Sequence, residues 1–354
     1  MPRKVAFWIV TCILVVLVIE LLAWVSATVP TRRGLHMFPG DLFAQLPQAK
    51  LESEAPRSEL GWPGNDEPRP QGQTPHLPRC GSAFGDSMTR GSEVEPHETW
   101  IHELSQRFGC YIANYAMGAY GLDQAVLRYE RIAPTDKLVI LGLFSEMLRR
   151  QMGASWTFYA AIRPVDYSRI KPYFTLDGHG LRLHPIPKPL TRDAIAAHHA
   201  NDYFMHHVWT ARKFPYTLQV LRAGYKRVVR PDEYRYYPDE YWSESHPSGS
   251  GILARRLVSR FVDGVQKQNG KVALVLIPPA EFLEHHNPHY TRFVDDMHRR
   301  GDVCVIETQP GLSEQTRKIG PKALEAPLGH YNVPGNVVIA DIVEAGLSRC
   351  GIAP

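Results

Sequence analysis

The sequence lacks the features that mark most nucleic-acid-binding and nucleotide-binding proteins. Its 354 residues carry a formal net charge of only +4, and lysine and arginine are scattered rather than gathered in one segment. Zinc-finger spacing, a P-loop and a GxGxxG motif after a strand are all absent from the sequence. We therefore expect no nucleic acid as a partner and no metal ion or organic cofactor.

Cysteine is scarce as well. Of the five cysteines, Cys12 lies in the first apolar segment, and Cys80, Cys110, Cys304 and Cys350 lie outside it. In an exported protein such cysteines can form disulfides, and Cys80 and Cys110 precede two strands that we expect to be neighbours. Small buried thiols are the alternative interpretation, and the sequence does not separate the two.

Long hydrophobic runs are also few, and the first one begins close to the N-terminus. Residues 5–19 carry no charge, Glu20 interrupts the run, and apolar residues continue to position 29. A stretch of about 25 residues is long enough to span a bilayer core of about 30 Å. Arg3 and Lys4 precede it, which predicts a single-pass inner-membrane anchor (residues 1–29) with the body in the periplasm. The alternative is a cleaved signal peptide, because residues 25–27 resemble a cleavage site.

The body of the chain shows the pattern of an α/β protein. Residues 30–79 are rich in proline, glycine and charged residues and predict an extended linker. Short, almost continuously apolar runs then alternate with helical patterns, as in a parallel sheet covered on both faces. The first expected strand ends at residues 83–84, and the other four occupy residues 110–115, 137–143, 271–277 and 303–306. The clearest helices are residues 99–108, 123–132, 251–268 and 337–347.

These elements predict a flavodoxin-like three-layer sandwich with a five-stranded parallel sheet in residues 80–354. Between the third and fourth strands lies an excess of about 90 residues, 153–245, too long for a simple βαβ connection. We interpret it as an inserted cap that contains a hairpin within residues 169–186 and helices within residues 191–228.

A candidate nucleophile follows the first expected strand. Gly85, Asp86 and Ser87 form a short turn between a strand and a helix. Such a turn presents the serine hydroxyl at the carboxyl edge of the sheet, where open α/β folds bind ligands. Three residues are a weak motif, since a serine that caps a helix gives the same pattern.

The surrounding sequence resembles the SGNH/GDSL hydrolase family over residues 80–150 and 250–350. The resemblance is carried by the GDS turn, Glu98-Thr99-Trp100, Asn114, the glycine-rich turn from Gly118 to Gly121, Gln124 and the terminal GHYNVPGN, residues 329–336. It implies that Ser87 is the nucleophile and that His330 is the general base. It further implies oxyanion donors at the backbone N–H of Ser87 and at that of Gly118 or Ala119.

Two positions depart from the family pattern. The family has an asparagine after the third strand that donates its side-chain amide to the oxyanion, and here Phe144 or Met147 takes its place. The family also has an aspartate three residues before the histidine, and here that residue is Pro327. Glu325 is the nearest acid and our candidate for the third catalytic residue; a backbone carbonyl that orients the ring is the alternative.

Clusters of histidine and of aromatic residues are candidates for further sites. For the histidines, we favour a solvated or substrate-facing surface over metal binding. For the aromatic residues, we favour packing over ligand stacking. These clusters are His198-His199, His206-His207, His285-His286 with His289, and Tyr234, Tyr236, Tyr237, Tyr241 and Trp242.

The sequence thus predicts a membrane-anchored serine esterase or deacylase that acts on an acyl ester, with an O-acetyl group on a glycan as one candidate. An O-acyltransferase would use the same acyl-enzyme with a sugar hydroxyl as acceptor. A non-catalytic binding protein in envelope polysaccharide assembly is the alternative of a different class, and the missing asparagine and aspartate motivate it.

Overall fold

The computed structural model describes residues 2–28, 37–39, 58–62, 67–69, 76–156, 170–230, 239–284 and 287–352. Its strands are β1 Met37–Pro39, β2 Arg79–Phe84, β3 Tyr111–Asn114, β4 Leu138–Leu143, β5 Tyr173–Asp177, β6 Gly180–His184, β7 Thr210–Arg212, β8 Lys271–Leu276 and β9 Cys304–Glu307. Its α-helices are α1 Pro2–Thr28, α2 Ser87–Arg90, α3 Trp100–Phe108, α4 Leu122–Ile132, α5 Ser145–Arg150, α6 Arg192–His198, α7 Tyr203–His207, α8 Tyr216–Val229, α9 Ser250–Lys267, α10 Pro288–Arg300, α11 Gln309–Ile319 and α12 Val333–Arg349. Short 3₁₀ helices occupy Pro96–Glu98, His199–Asn201, Asp239–Trp242, Ala280–Phe282 and Pro321–Ala323.

The described residues fall into two compact units, and each is considered by itself. The sheet unit comprises the described residues of 56–152, 170–186 and 237–354, and the anchor unit those of 1–55, 153–169 and 187–236. The predicted insertion 153–245 is therefore not one cap. Its hairpin, β5 with β6, belongs to the sheet unit, whereas most of its helices belong to the anchor unit.

The sheet unit is built on five parallel strands in the order β3-β2-β4-β8-β9. All six residues of β4 are buried, as expected for a central strand covered on both faces. The strand order reverses beside β2, so the carboxyl end of β2 lies at the topological switch point where such sheets bind ligands. The predicted α/β class and flavodoxin-like sheet are confirmed, and the strand bounds agree with the prediction to within a few residues.

Helices cover this sheet with their apolar faces. The buried residues of α9 recur at helical spacing (Leu253, Leu257, Phe261 and Val265), and α9 packs against α4. A second pair, α3 and α12, packs together as well. Since right-handed connections on either side of a reversing strand order place helices on both faces, the sheet unit has three layers.

Two disulfides fasten the sheet unit. Cys80, in β2, pairs with Cys110, next to β3, with Cα atoms 5.7 Å apart. Cys304, in β9, pairs with Cys350, directly after α12, with Cα atoms 5.8 Å apart. These four cysteines therefore form disulfides and are not buried free thiols.

Parts of the predicted linker pack on the sheet unit, although most of residues 30–79 lies outside the described residues. Trp62 donates its indole N–H to the carbonyl oxygen of Gly118 at 3.1 Å. The Arg69 guanidinium donates to the carbonyl oxygens of Arg90, Gly91 and Val94. These segments are thus folded against the domain rather than extended.

The anchor unit contains the apolar helix α1. This helix is long and apolar enough to cross a membrane, which is consistent with the predicted single-pass anchor. Helix α8 packs against α1, and the three-residue strands β1 and β7 pair in parallel. The expected run of helices in residues 191–228 is interrupted by β7, which the local sequence pattern did not indicate.

Candidate active site

The turn after β2 is shaped by close backbone approaches. Gly85 adopts φ +150°, and a Cβ atom there would lie 2.7 Å from the carbonyl oxygen of Gly142 on β4. Asp86 caps α2 by accepting a hydrogen bond from the Met88 N–H at 3.0 Å. Ser87 is therefore the first residue of a short helix at the carboxyl edge of the sheet, and it is 8% exposed. This is the position predicted for the nucleophile.

Two of the motifs that carry the family resemblance, Thr99-Trp100 and the segment with Asn336, stabilise this turn. Thr99 caps α3 by accepting from the His102 N–H, and the indole of Trp100 donates to the carbonyl oxygen of Met88 at 3.1 Å. Asn336 accepts from the Trp100 N–H and donates to the carbonyl oxygen of Tyr331. The segment that carries His330 is thereby tied to the helix that supports Ser87.

A buried ionic network lies beneath the serine. The Asp86 carboxylate accepts from the Arg150 guanidinium at 3.0 Å and from the Ser87 hydroxyl at 3.4 Å. Glu146 pairs with Arg149 at 3.3 Å and lies 4.0 Å from Arg150, and all of these charged side chains are buried. Burial raises the pKa of Asp86, and the positive charge of Arg150 opposes that rise.

Glu93 holds the imidazole of His330. The Glu93 carboxylate lies 2.5 Å from Nδ1 of His330, and it also accepts from the backbone N–H groups of Leu328 at 2.8 Å and His330 at 3.2 Å. Burial acts to raise the pKa of Glu93, but these hydrogen bonds, first the one from the His330 ring, outweigh it and hold the pKa below its ordinary value. The carboxylate is therefore ionised at neutral pH and fixes the proton of the ring on Nδ1.

The backbone of Glu93 is strained. Its φ of +71° lies in the left-handed region, which a glutamate adopts only where its surroundings enforce it. Such outliers cluster at functional sites, because the side chain is held in a place that the relaxed backbone would not reach.

Glu325 does not occupy the expected place beside the ring. Its backbone pairs with Tyr331 in an isolated bridge, and its negative charge, second to burial, raises the pKa of Glu281. The structure thus corrects the sequence-based candidate: the acid on Nδ1 is Glu93, 237 positions earlier in the chain than the histidine.

His330 and the serine turn belong to one site. Glu93, which contacts the His330 ring, lies six residues after Ser87, and the intervening Ser92 N–H donates to the Ser87 carbonyl oxygen at 3.0 Å. Among the described residues, Ser87 and His330 share no hydrogen bond, and the serine hydroxyl points to Asp86 instead. Catalytic hydrogen bonds are often long or misaligned in the absence of substrate, and rotation about the Cα–Cβ bond of Ser87 would re-aim the hydroxyl.

The glycine-rich turn lies beside the nucleophile turn. The Met117 N–H donates to the carbonyl oxygen of Gly85 at 3.1 Å, and Asn114 donates its amide to the carbonyl oxygen of Thr89 at 3.1 Å. Gly118 faces open space, and Ala119 adopts a φ of +64°. The turn is placed where an oxyanion donor is expected, and the assignment of Ser87, Gly118 and Ala119 as donors remains a prediction.

Phe144 is one of the two residues, with Met147, predicted to take the place of the family asparagine. It follows β4 directly, caps α5 without a side-chain hydrogen bond, and is buried, as is Met147. The guanidinium of Arg150 lies over the Phe144 ring, 5.2 Å from its centroid. Neither Phe144 nor Met147 has a side-chain amide, and the Phe144 ring instead packs against the Arg150 cation.

An apolar cavity of about 50 Å³ opens at the carboxyl ends of β4 and β8. Leu143, Phe144, Trp242, Leu276 and Phe282 contribute to its wall. The wall also includes Pro278, whose carbonyl oxygen accepts from the Tyr331 hydroxyl at 2.6 Å. The cavity thus opens at the same carboxyl edge of the sheet as the Ser87 turn, and Tyr331, which contacts its wall, follows His330 in the chain.

The other clusters give no second site in the part of the chain that the structure describes. His199 is buried and its Nδ1 lies 2.9 Å from the carbonyl oxygen of Ile195, and burial lowers its pKa to about 3. Tyr241 and Trp242 are buried, in agreement with packing. No group of three potential metal ligands occurs among the described residues, and the remaining predicted members, His285, His286, Tyr234, Tyr236 and Tyr237, lie outside them.

Neither a scan against protein-family models nor a search of curated protein sequences found a match to this chain. Solved structures similar to it include that of TesA (8% identity, TM-score 0.41, 77% of this chain and 99% of that chain covered). A putative lipolytic protein of the G-D-S-L family from Desulfitobacterium hafniense is also similar (10%, 0.40, 75% and 98%). So is a catalytic mutant of Axe2, an acetylxylan esterase from Geobacillus stearothermophilus (14%, 0.40, 76% and 94%).

The strand order and the places of the motifs upon it agree with the fold that the sequence resemblance implies. The serine turn follows the first strand of the sheet, the asparagine-ended strand β3 and the glycine-rich turn come next, and the histidine precedes the last helix. The functional roles are assigned from the geometry of the site.

Proposed function

We propose that this chain is a serine-dependent ester hydrolase with Ser87 as nucleophile, His330 as general base and Glu93 as the acid that orients the base. The observation that carries the proposal is the Glu93 carboxylate 2.5 Å from Nδ1 of His330, on a backbone with φ +71°. A carboxylate held on Nδ1 keeps the ring proton there and leaves the opposite nitrogen, Nε2, able to accept a proton, which accounts for the strained backbone.

The reaction would proceed through an acyl-enzyme. Nε2 of His330 takes the proton of the Ser87 hydroxyl as the serine oxygen attacks the acyl carbon, and Glu93 stabilises the resulting imidazolium. Collapse of the tetrahedral intermediate expels the alcohol, which receives the proton from His330. Water, deprotonated by the same ring, then attacks the acyl-enzyme, and His330 returns that proton to the Ser87 oxygen as the carboxylic acid leaves.

Backbone donors would stabilise the oxyanion. In place of a side-chain amide the chain has Phe144, so the negative oxygen depends on the N–H groups of Ser87 and of Gly118 or Ala119. Loss of one donor costs about 10²–10³ in rate in other serine hydrolases, so a modest turnover is expected.

A short acyl group fits the apolar cavity. One water molecule needs about 10–15 Å³ of cavity volume, so the cavity of about 50 Å³ has room for about four water molecules. That space suits an acetyl to butyryl chain, which supports an O-acetyl ester as the substrate. Transfer of the same acyl group to a sugar hydroxyl would make the chain an O-acyltransferase.

The site is proposed to face the periplasm, with α1 in the inner membrane. Arg3 and Lys4 precede the apolar run, which favours a cytoplasmic N-terminus. The two disulfides support an oxidising compartment for the sheet unit.

The test is labelling of the full-length chain in detergent with a fluorophosphonate probe. The parent and a Ser348→Ala control, which changes an exposed serine on α12, should label, and Ser87→Ala and His330→Ala should not. Equal labelling of Ser87→Ala would refute the assignment of the nucleophile. Absence of labelling in a well-folded parent would instead favour a non-catalytic binding protein.

A further inference from the structure

Helix α8 carries an apolar stripe that the described residues of its unit leave exposed. Five of its large apolar side chains are between 43% and 78% exposed. At 3.6 residues per turn they fall within an arc of about 100°, the width of the face that a soluble helix turns toward its core. These residues are Leu218, Leu221, Tyr225, Val228 and Val229. An apolar face of this size turned outward marks an interaction surface.

The stripe belongs to a helix that packs against α1. The carboxylate of Glu20, the one acidic residue of α1, accepts hydrogen bonds from the backbone N–H groups of Tyr216 at 2.6 Å and Thr217 at 3.3 Å. The positive end of α8 thus compensates a charge that would be costly in an apolar helix. Glu20 lies eight residues before the end of α1, about 12 Å along its axis, so α8 begins beside the apolar part of α1.

Basic residues lie along one side of the stripe. Arg222, Lys226 and Arg230 follow at helical spacing on that side, and α8 contains no acidic residue. Arg222 is exposed, whereas the half-buried Lys226 and Arg230 also donate hydrogen bonds within the unit, to Trp209 and to Tyr203 and His207 respectively. An apolar face with lysine and arginine beside it is the composition of a helix that lies in a membrane interface, where the apolar side chains enter the acyl region and the cations meet anionic headgroups.

We infer that α8 is a second membrane-contacting element, whose stripe lies in the lipid of the same bilayer that α1 spans. Helices α1 and α8 pack together and both expose large apolar side chains, which argues for lipid over another protein. The basic residues beside the stripe favour a bilayer that contains anionic phospholipid. The anchor unit is then held to the membrane by two helices, with the half-buried Glu20 contact between them.

The test uses the full-length chain in vesicles of phosphatidylcholine and phosphatidylglycerol. In a Cys12→Ser background, where the other cysteines are paired, single cysteines are introduced by Leu221→Cys or Tyr225→Cys and labelled with NBD. Leu22→Cys in α1 is the lipid-exposed reference, and Ile319→Cys, an exposed apolar residue of α11, is the solvent reference.

Doxyl-labelled lipid should quench NBD at positions 22, 221 and 225 at least twofold, and it should leave position 319 unchanged. Quenching at 221 and 225 no greater than at 319, with position 22 quenched, would overturn the inference. Disulfide cross-linking between two copies of the unlabelled Tyr225→Cys chain, together with unquenched stripe positions, would assign the stripe to a second copy and would also overturn it. Circular dichroism confirms that each variant is folded before its quenching is compared.

Discussion

Replacing Glu93 with glutamine tests the proposed site most directly. The substitution keeps the size of the side chain and can keep one oxygen on the backbone N–H group of Leu328, but it removes the negative charge 2.5 Å from Nδ1. The amide N–H₂ can donate to Nδ1, which would move the ring proton to Nε2. In that tautomer the ring cannot accept the serine proton.

The expected loss follows from this change of tautomer. Removing the orienting acid of a serine protease lowers kcat by about 10⁴. Both side chains of the Glu93–His330 pair are partly exposed here, 14% and 19%, and water can partly replace the carboxylate. We therefore expect a loss of about 10³ in kcat, which corresponds to about 4 kcal/mol of transition-state stabilisation.

The assay is hydrolysis of p-nitrophenyl acetate, with kcat and KM determined separately for the parent, Glu93→Gln and Glu325→Gln. The reasoning requires a fall in kcat for Glu93→Gln with a nearly unchanged KM and an unchanged melting temperature, and little effect of Glu325→Gln. If Glu93→Gln stays within threefold of the parent, or if Glu325→Gln is the variant that loses activity, the assignment of Glu93 is wrong.

Three further outcomes are expected. Arg150→Met leaves Asp86 buried without its counter-charge and should lower the free energy of unfolding by about 3–5 kcal/mol. Because burial raises the pKa of Asp86, the folded state binds its proton more tightly than the unfolded state. The deficit should therefore shrink as the pH falls from 8 toward 4, which chemical denaturation at several pH values would show; a deficit that grows would contradict this. Replacing Cys304 and Cys350 with serine should cost about 4 kcal/mol, since the bond closes a loop of 46 residues; an unchanged denaturation midpoint would count against it. Phe282→Ala widens the apolar cavity and should raise the rate on octanoyl relative to acetyl esters, and an unchanged ratio would place the acyl chain elsewhere.

The sheet was largely predictable from the sequence because a parallel strand covered on both faces leaves a short continuous apolar run. Residues 137–143 and 271–277 are such runs, and they became β4 and β8. The turn at Ser87 was predictable for the same reason, since a strand before it and a helix after it fix the place of the serine. The pairing of Cys80 with Cys110 was left open, because the sequence shows neighbouring strands but not the distance between two side chains.

The partner of His330 was not predictable in this way. A search near the histidine finds Glu325, whereas Glu93 reaches the ring from a loop 237 positions away. The one local sign is that Glu93 follows Gly91 and Ser92 in a turn, but nothing in the residue type reveals a φ of +71°. A contact between distant loops is decided by how the whole sheet unit closes.

The stripe on α8 shows a similar limit. The helical spacing of its apolar residues is visible in the sequence, but this spacing is the same whether a core or a membrane covers the face. Exposure, which separates the two, is known only once the neighbours of α8 are placed.

The separation of Glu93 from His330 has a consequence for the time at which the site forms. During synthesis the segment with Ser87 and Glu93 emerges long before the segment with His330, and Asn332 and Asn336 must dock before the histidine loop is held. An unfinished chain thus presents the proposed nucleophile without its proposed base. The proposed hydrolysis would therefore begin only after the last helix has docked and folding is complete.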